Sequence, residues 1–432
     1  MTSLFSSPQT YYSATRNRQL DCPPLEGQAH ADVCIVGGGF TGLNTAIELA
    51  ERGHSVIVLE AQQIAWGATG RNGGQLIRGI GHDLGAHEKS IGREGVKVLE
   101  QLGLDAVDLV RQRVQQHGIE CDLRWGHCEL ANTPRHFQNL LAEQEALNRQ
   151  GYAHKVELVE QRDMHRVVGS DRYVGGLIDE GSGHLHPLNL ALGEADLAQR
   201  LGVRLCENSA AIRIEYGKCI RVHTAKGVVH AKTLVLAGNA HLGDLEPALS
   251  GKVLAAGSYV VATEPLSAAL AETLIPANRA LCDQRVGLDY YRLSADRRLL
   301  FGGACHYSGR TPKDIAGYMG PRMFEVFPQL ATKRIDFQWS GMIGIGANRL
   351  PQIGRLQAQP NVFYAQAYAG HGINTTHLAA KLVAEAINLE HSQGFDLFAR
   401  VPHMTFPGGK LLRSPLLALG MFWYRLKEIA GH

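Results

Sequence analysis

The chain has 432 residues, enough for two or three domains with ample apolar core, and its 43 basic and 41 acidic side chains nearly cancel to a formal charge of +2. No long single-sign run stands out, so composition argues against a nucleic-acid or strongly acidic partner. The eight cysteines (Cys22, Cys34, Cys121, Cys128, Cys206, Cys219, Cys282, Cys305) contain no C-x-x-C pair, which predicts a reduced, cytoplasmic protein without a metal site.

The first elements form a complete dinucleotide-binding unit. An apolar strand (Val33 to Val36) leads into a glycine turn (Gly37, Gly39, Gly42), a helix from Thr41 to Arg52, a second strand (Val56 to Leu59) and then an acid, Glu60. Gly37 permits the tight turn, Gly39 lets backbone approach a pyrophosphate, and Gly42 lets helix pack on strand. The phosphates would sit on the open N–H groups and positive end of the helix. Glu60 lies 18 residues after Gly42, where a carboxylate accepts ribose hydroxyl protons and repels a 2′-phosphate, so NADP is disfavoured.

Further along, the pattern predicts helices over Gly92 to His117, Pro134 to Gln150 and Pro187 to Leu201, with strands around Cys121 to Leu130 and over Val203 to Cys206. Ala211 to Val229 alternates like a small antiparallel meander, and Thr233 to Ala237, ending at Gly238 and Asn239, returns the chain to the cofactor sheet. Tyr259 to Ala262, Asp289 to Leu293 and Arg298 to Phe301 predict a second sheet, distinct from the parallel one.

Val362 to Gln366 reads as a strand, followed by the turn Tyr368 to Asn374 and a helix to about Glu390. That late helix start matters chemically. A reduced isoalloxazine carries negative charge near N1, which a positive helix end stabilises, whereas a nicotinamide enzyme has no such need. An ordinary strand-turn-helix connection is the alternative. Finally, Ser414 and Pro415 open a helix that is apolar on most of its surface, suited to packing on the body of the protein or another subunit, or to docking on a membrane or electron-accepting partner. No apolar run reaches the roughly 20 residues of a spanning helix, and no secretory signal is evident.

The segment DVCIVGGGFTGLNTAIELAERGHSVIVLEA, the block WGATGRNGGQ at residues 66 to 75, LVLAGNA, NRLPQIGRL at 348 to 356 and YAGHGINTT at 368 to 376 together resemble the D-amino-acid oxidase and sarcosine oxidase superfamily of FAD enzymes. GRNGGQ, YYRLSADRRLLFGG and the tail ending in MFWYRLKEI resemble its branch of bacterial gamma-glutamylputrescine oxidoreductases. The resemblance implies an α/β fold: a Rossmann-like FAD-binding domain (1–90, 150–250 and 336–390), a second antiparallel-sheet substrate domain (91–149 and 251–335) and an apolar helical tail (391–432).

It also implies site residues. Gly37, Gly39, Phe40, Thr41, Gly42, Glu60 and Ala61 would hold the ADP half of FAD. Gly67, Ala68, Thr69, Arg71, Asn72, Gly73, Gly74 and Gln75 would run beside the pyrophosphate and ring, with Gly238 nearby, Arg71 being either a phosphate contact or a solvated side chain. Gly370, His371, Gly372, Ile373 and Asn374 would face the pyrimidine edge. For substrate, Arg78 matches an arginine that neighbours the substrate carboxylate in sarcosine-oxidase-like members. Tyr290 and Tyr291 would line an amine tunnel, although strand neighbours point to opposite faces and core packing accounts for one of them. His371 and Trp339, with Trp66 more weakly, complete the candidate substrate set.

No catalytic side chain is required, because flavin N5 takes the hydride. Related oxidases often carry a lysine near the flavin for reaction with oxygen; here the corresponding strand reads Leu299 to Gly303, and Asn374 follows the late turn, so the acceptor, oxygen or another, stays open. Three functions are compatible: oxidation of a gamma-glutamylated polyamine, oxidation or dehydrogenation of a secondary amine or amino acid, and a non-catalytic flavin-binding scaffold. A homo-oligomer is compatible with each.

Overall fold

The computed structural model describes residues 9–81, 84–285, 287–306 and 311–406. The expected apolar tail helix lies outside the described residues.

Two sheets organise the chain. The first, of eight strands, runs in space as Gln352–Arg355, Val362–Gln366, Gly227–Leu236, Gly27–Val36, Val56–Leu59 and Arg204–Cys206, with a meander of Arg213–Glu215 and Ile220–His223 on its side. Its centre is parallel, with Val36 beside both Leu59 and Leu236, and Leu236 beside Tyr364. Val33, Cys34, Ile35 and Val36 are all buried, as a strand covered on both faces must be. Helices Phe40–Glu51, Pro187–Arg200 and Gly372–Ile387 contribute Leu43, Ile47, Leu190, Leu197, Leu378 and Val383 to a single core against it.

The second sheet has nine strands in the order Ile335–Gly346, Val253–Thr263, Leu299–His306, Asp289–Leu293, Ala280–Asp283, Arg124–Ala131, Gly175–His184 and Gln75–Leu76, with Val156–Glu160 beside Gly175–His184. One face carries a separate core of Cys128, Ile178, Tyr259, Val261, Leu281, Tyr291 and Phe301, closed by Met319 and Met323 of helix Ile315–Val326. Alternation along the strands sends Glu129, Tyr290, Arg292 and Val260 to the opposite face. That face meets the glycine block: the Tyr290 ring lies against both Gly73 and Gly302, so closely that a Cβ on either glycine would overlap it.

Sheet membership differs from the expected boundaries. Val156–Glu160, Gly175–His184 and Ile335–Gly346 belong to the second sheet, although all but Ile335 of these residues fall within stretches assigned above to the cofactor domain. No described helix is long and apolar enough to cross a membrane.

Candidate functional site

The first glycine turn leaves the carboxyl end of strand Gly27–Val36. Gly37 has φ 115°, a left-handed conformation, and a Cβ there would meet the Ala237 carbonyl oxygen at 2.6 Å. Gly42 packs so tightly that an added Cβ would overlap the Gly37 carbonyl oxygen. The turn after strand Gly227–Leu236, at Gly238, therefore lies directly beside Gly37, at the same end of the sheet.

The late turn arrives at that end too, because strand Val362–Gln366 runs parallel to Gly227–Leu236. Ala367, Ala369 and Gly370 all have positive φ, and the Ala367 and Ala369 N–H groups donate to Asn239 Oδ1 (2.9 Å) and the Gly344 carbonyl (3.0 Å). A buried hydrogen bond of 2.8 Å joins the hydroxyls of Thr41 and Tyr368, tying the early helix to the late turn. The two glycine turns thus flank one location at the carboxyl edge of the parallel sheet, where nucleotide ligands bind in such folds.

The helix starts there are suited to an anion. Thr133, Ser267, Asp314 and Ser392 cap other helices with their side chains, but Gly39 and His371 supply no side-chain cap to the helices Phe40–Glu51 and Gly372–Ile387. Thr69 Oγ1 accepts from the Phe40 N–H (3.1 Å), and the backbone N–H groups left without caps need an outside acceptor, for which the dipole favours a negative one. Open space lies in front of Gly370 and Gly372, where a Cβ would meet nothing within 4 Å.

Glu60 accepts from the backbone N–H groups of Gly38 (2.7 Å) and Gln62 (2.9 Å). Burial raises its pKa above the usual carboxylate value, although these N–H donors pull the other way. Its oxygens have lone pairs left for ribose hydroxyls. The early turn, the late turn and this acid together fit an FAD molecule: the first helix would take the pyrophosphate, Glu60 the ribose and the late helix the ring.

Several candidate cofactor residues have another employment. The Phe40 N–H donates to Thr69 Oγ1 (3.1 Å) and the Gly74 N–H to Asn72 Oδ1 (2.8 Å). Asn72 in turn donates to the carbonyls of Ala68 (3.0 Å) and Thr69 (2.8 Å), so its amide folds the loop. Gln75 Nε2 reaches the Leu281 carbonyl (2.9 Å), and Asn374 Nδ2 the Gly79 carbonyl (2.7 Å). Arg71 is partly buried: it donates to the Trp66 carbonyl (2.8 Å), and its guanidinium lies 4.6 Å from the centre of the Trp66 ring.

The substrate candidates divide more sharply. Arg78 is buried and is bound to Asp179 (2.7 Å), Glu129 (3.2 Å) and Glu143, so acids of the chain itself already neutralise it. The expectation of an Arg78 carboxylate anchor is corrected on this ground. Tyr291 is corrected as well: it is fully buried in the second sheet's core, stacked on Phe301, with its hydroxyl donating to that of Tyr173 at 2.8 Å. Trp339 is likewise fully buried, its indole N–H donating to the Arg71 carbonyl at 2.9 Å, so it braces the glycine block. Tyr290 is half-buried on the face toward Gly73, and His371 begins the late helix.

Sequence reasoning overlooked Arg292. It is 3 % exposed, and its donors go to neutral acceptors: the carbonyls of Gly73 (2.8 Å) and Leu293 (3.2 Å) and the Tyr12 hydroxyl (3.2 Å). Nearby His184 and His186 are held neutral, their pKa values pushed down to about 3 by burial and then by Arg292 itself. Among the described residues no carboxylate pairs with this guanidinium, and a buried charge without a counter-charge is costly. Its position two residues after Tyr290 on a strand was the available signal, since it must share that face.

These features define an FAD-binding oxidoreductase, and the chain belongs to the FAD dependent oxidoreductase family (DAO), which it matches over residues 32–386. It is an FAD-dependent amine oxidoreductase. It is 42 % identical over 423 residues to the gamma-glutamylputrescine oxidoreductase of Escherichia coli, covering 98 % of both chains. Among solved structures, a glycine oxidase from Geobacillus kaustophilus superposes with a TM-score of 0.71 at 23 % identity, covering 87 % of this chain and 99 % of that one. An L-amino acid deaminase from Proteus vulgaris gives 0.71 at 20 % identity, over 88 % and 96 %. These two similarities concern the fold alone.

Proposed function

We propose that this protein oxidises the primary amine of gamma-glutamylputrescine, or of a related gamma-glutamylated polyamine, and passes the electrons to oxygen. The observation that carries this reading is the 42 % identity along nearly the whole chain with the Escherichia coli gamma-glutamylputrescine oxidoreductase. The FAD that these residues would hold would supply hydride acceptance from the carbon bearing the amine, the resulting imine would be hydrolysed by water to an aldehyde and ammonia, and the two electrons would reach oxygen as hydrogen peroxide.

The chain's own residues supply position and charge. Gly37, Gly39, Gly42 and Glu60 hold the nucleotide half, and the late helix from Gly372 meets the ring. Tyr290 presents an aromatic face to the amine's aliphatic stem. Arg292, rather than Arg78, provides the positive charge beside the glycine block, for the reduced ring or a substrate carboxylate. All eight cysteines are free thiols, which supports a reducing, cytoplasmic setting.

Anaerobic mixing tests the reading. Gamma-glutamylputrescine should bleach the flavin while sarcosine and D-alanine do not, and readmitted air should yield peroxide. Bleaching by sarcosine or D-alanine but not by gamma-glutamylputrescine would overturn the substrate assignment; reoxidation without peroxide would overturn oxygen as acceptor.

A further inference from the structure

The register of the second sheet sets out a straight row of residues across its cofactor-facing side. Tyr290 pairs with Gly302 on one side and with Cys282 on the other, and Cys282 pairs in turn with Glu129. Two strand spacings therefore separate Glu129 from Tyr290, about 10 Å along the same face. Tyr290 touches Gly73 of the glycine block, so Glu129 stands at the far end of a row that begins at the cofactor.

The chemistry at that far end is unbalanced. Glu129, Glu143 and Asp179 surround the single guanidinium of Arg78, three carboxyl groups to one cation. Asp179 is closed off, whereas the Glu129 side chain keeps 23 % of its surface. His127 lies two residues before Glu129 on the same strand and directly opposite Asp179, so its ring belongs to this cluster. It is 1 % exposed, and neither ring nitrogen has a hydrogen-bond partner. It does not act as a counter-cation, because burial lowers its pKa to about 4.

Gln284 adds a second unfilled acceptor: its amide nitrogen donates to Glu129 Oε2 at 3.4 Å, while its buried Oε1 has no partner. Crowding also shows at Glu143, whose pKa is pushed up to about 7 by burial first and Glu129 second. What this end of the row lacks is positive charge carried on several donors. An alkylammonium has three donors and no acceptor.

We infer that Glu129, with Gln284 beside it, anchors a cationic group at the end of the amine substrate remote from the carbon that is oxidised. This rests on the amine reading above and deepens it. The site selects amines that carry a second positive charge at the end remote from the carbon that is oxidised. A glutamyl α-ammonium meets that requirement, as does the second ammonium of a diamine.

Glu129→Gln in the FAD-loaded enzyme tests the assignment, since Asp179 and Glu143 still hold Arg78 in that variant. The readout is kcat/KM, by anaerobic flavin reduction, for gamma-glutamylputrescine, putrescine and n-butylamine. The ratio of either dicationic amine to n-butylamine should fall roughly 10- to 100-fold, the scale of one charge-assisted hydrogen bond. Glu129→Asp should recover part of the ratio, and the flavin absorption spectrum should match that of the parent enzyme. An unaltered ratio, or equal losses on all three amines, would overturn the inference while leaving the amine reading intact. If no amine reduces the parent flavin, the amine reading falls and this inference with it.

Discussion

Replacing Arg78 with methionine separates a structural arginine from a substrate anchor. Arg78 is 6 % exposed, and one of its partners, Asp179, is fully buried. Asp179 also accepts from the Gly181 N–H (2.9 Å) and the Tyr152 hydroxyl (3.1 Å). Burial works to raise the Asp179 pKa, but Arg78, Ser182 and the Gly181 N–H outweigh it and hold the carboxyl below the usual range. Arg78→Met therefore strands a carboxylate in the interior. Removing one partner of a buried pair costs about 3–5 kcal/mol, and the more exposed Glu129 and Glu143 add little to that.

For a cooperative unit of some 150–250 residues, such a loss lowers the melting temperature by about 10 °C, measured at one fixed scan rate by circular dichroism or flavin release. Adding Asp179→Leu should restore part of the loss, giving a coupling above about 1 kcal/mol. Unchanged melting together with a KM raised only for carboxylate-bearing amines would refute this account and reinstate Arg78 as an anchor.

Three further outcomes are expected. Gly42→Ala should yield a folded but colourless protein, because the added methyl collides with the Gly37 carbonyl at the phosphate turn; retention of full flavin absorbance at 450 nm would count against the placement of FAD there. Arg292→Met should lower the midpoint potential of bound flavin by about 30–60 mV, given that 30 mV of a two-electron couple is about 1.4 kcal/mol. An unmoved potential combined with unmoved carboxylate binding would remove Arg292 from the site. Glu143 has a folded pKa of about 7 against an ordinary 4.5, so the folded state keeps a proton that the unfolded chain has released. Its contribution is full below pH 4.5 and lost as pH rises through about 7, and Glu143→Gln should flatten that part of the stability profile; a profile of identical slope in the variant would contradict the raised value.

The cofactor half was legible in the sequence because backbone recognition of a phosphate needs glycine at fixed local offsets, and local spacing is what a sequence displays. Long helices with clear periodicity and caps, such as Pro134–Gln150 opened by Thr133, were legible for the same reason. Strand Gly175–His184 was not. It carries four glycines with Ser182 and reads as a turn, yet it sits inside the second sheet. Its glycines answer to neighbours from elsewhere in the chain: Phe137 against Gly175, Cys128 against Gly176, and Tyr152 and His154 against Gly181. Helix Ile315–Val326 was obscured in a similar way by Pro321 within it.

The substrate side is governed by partners that sequence spacing does not reveal. The acids that occupy Arg78 lie 51, 65 and 101 positions away, so a motif-matched arginine looked available when it was already neutralised. Tyr290 and Tyr291 posed the same problem in miniature. Strand alternation required that one face each way, but only the sheet's packing decided that Tyr291 enters the core and Tyr290 meets Gly73. Once that face is fixed, Arg292 and Glu129 follow by strand geometry alone, one beside the glycine block and one at the far end of the row that holds Tyr290. Cofactor binding is thus written in short-range glycine spacing, while charge selection depends on cross-strand register, where a one-residue slip would exchange Tyr290 for Tyr291 and Glu129 for Cys128.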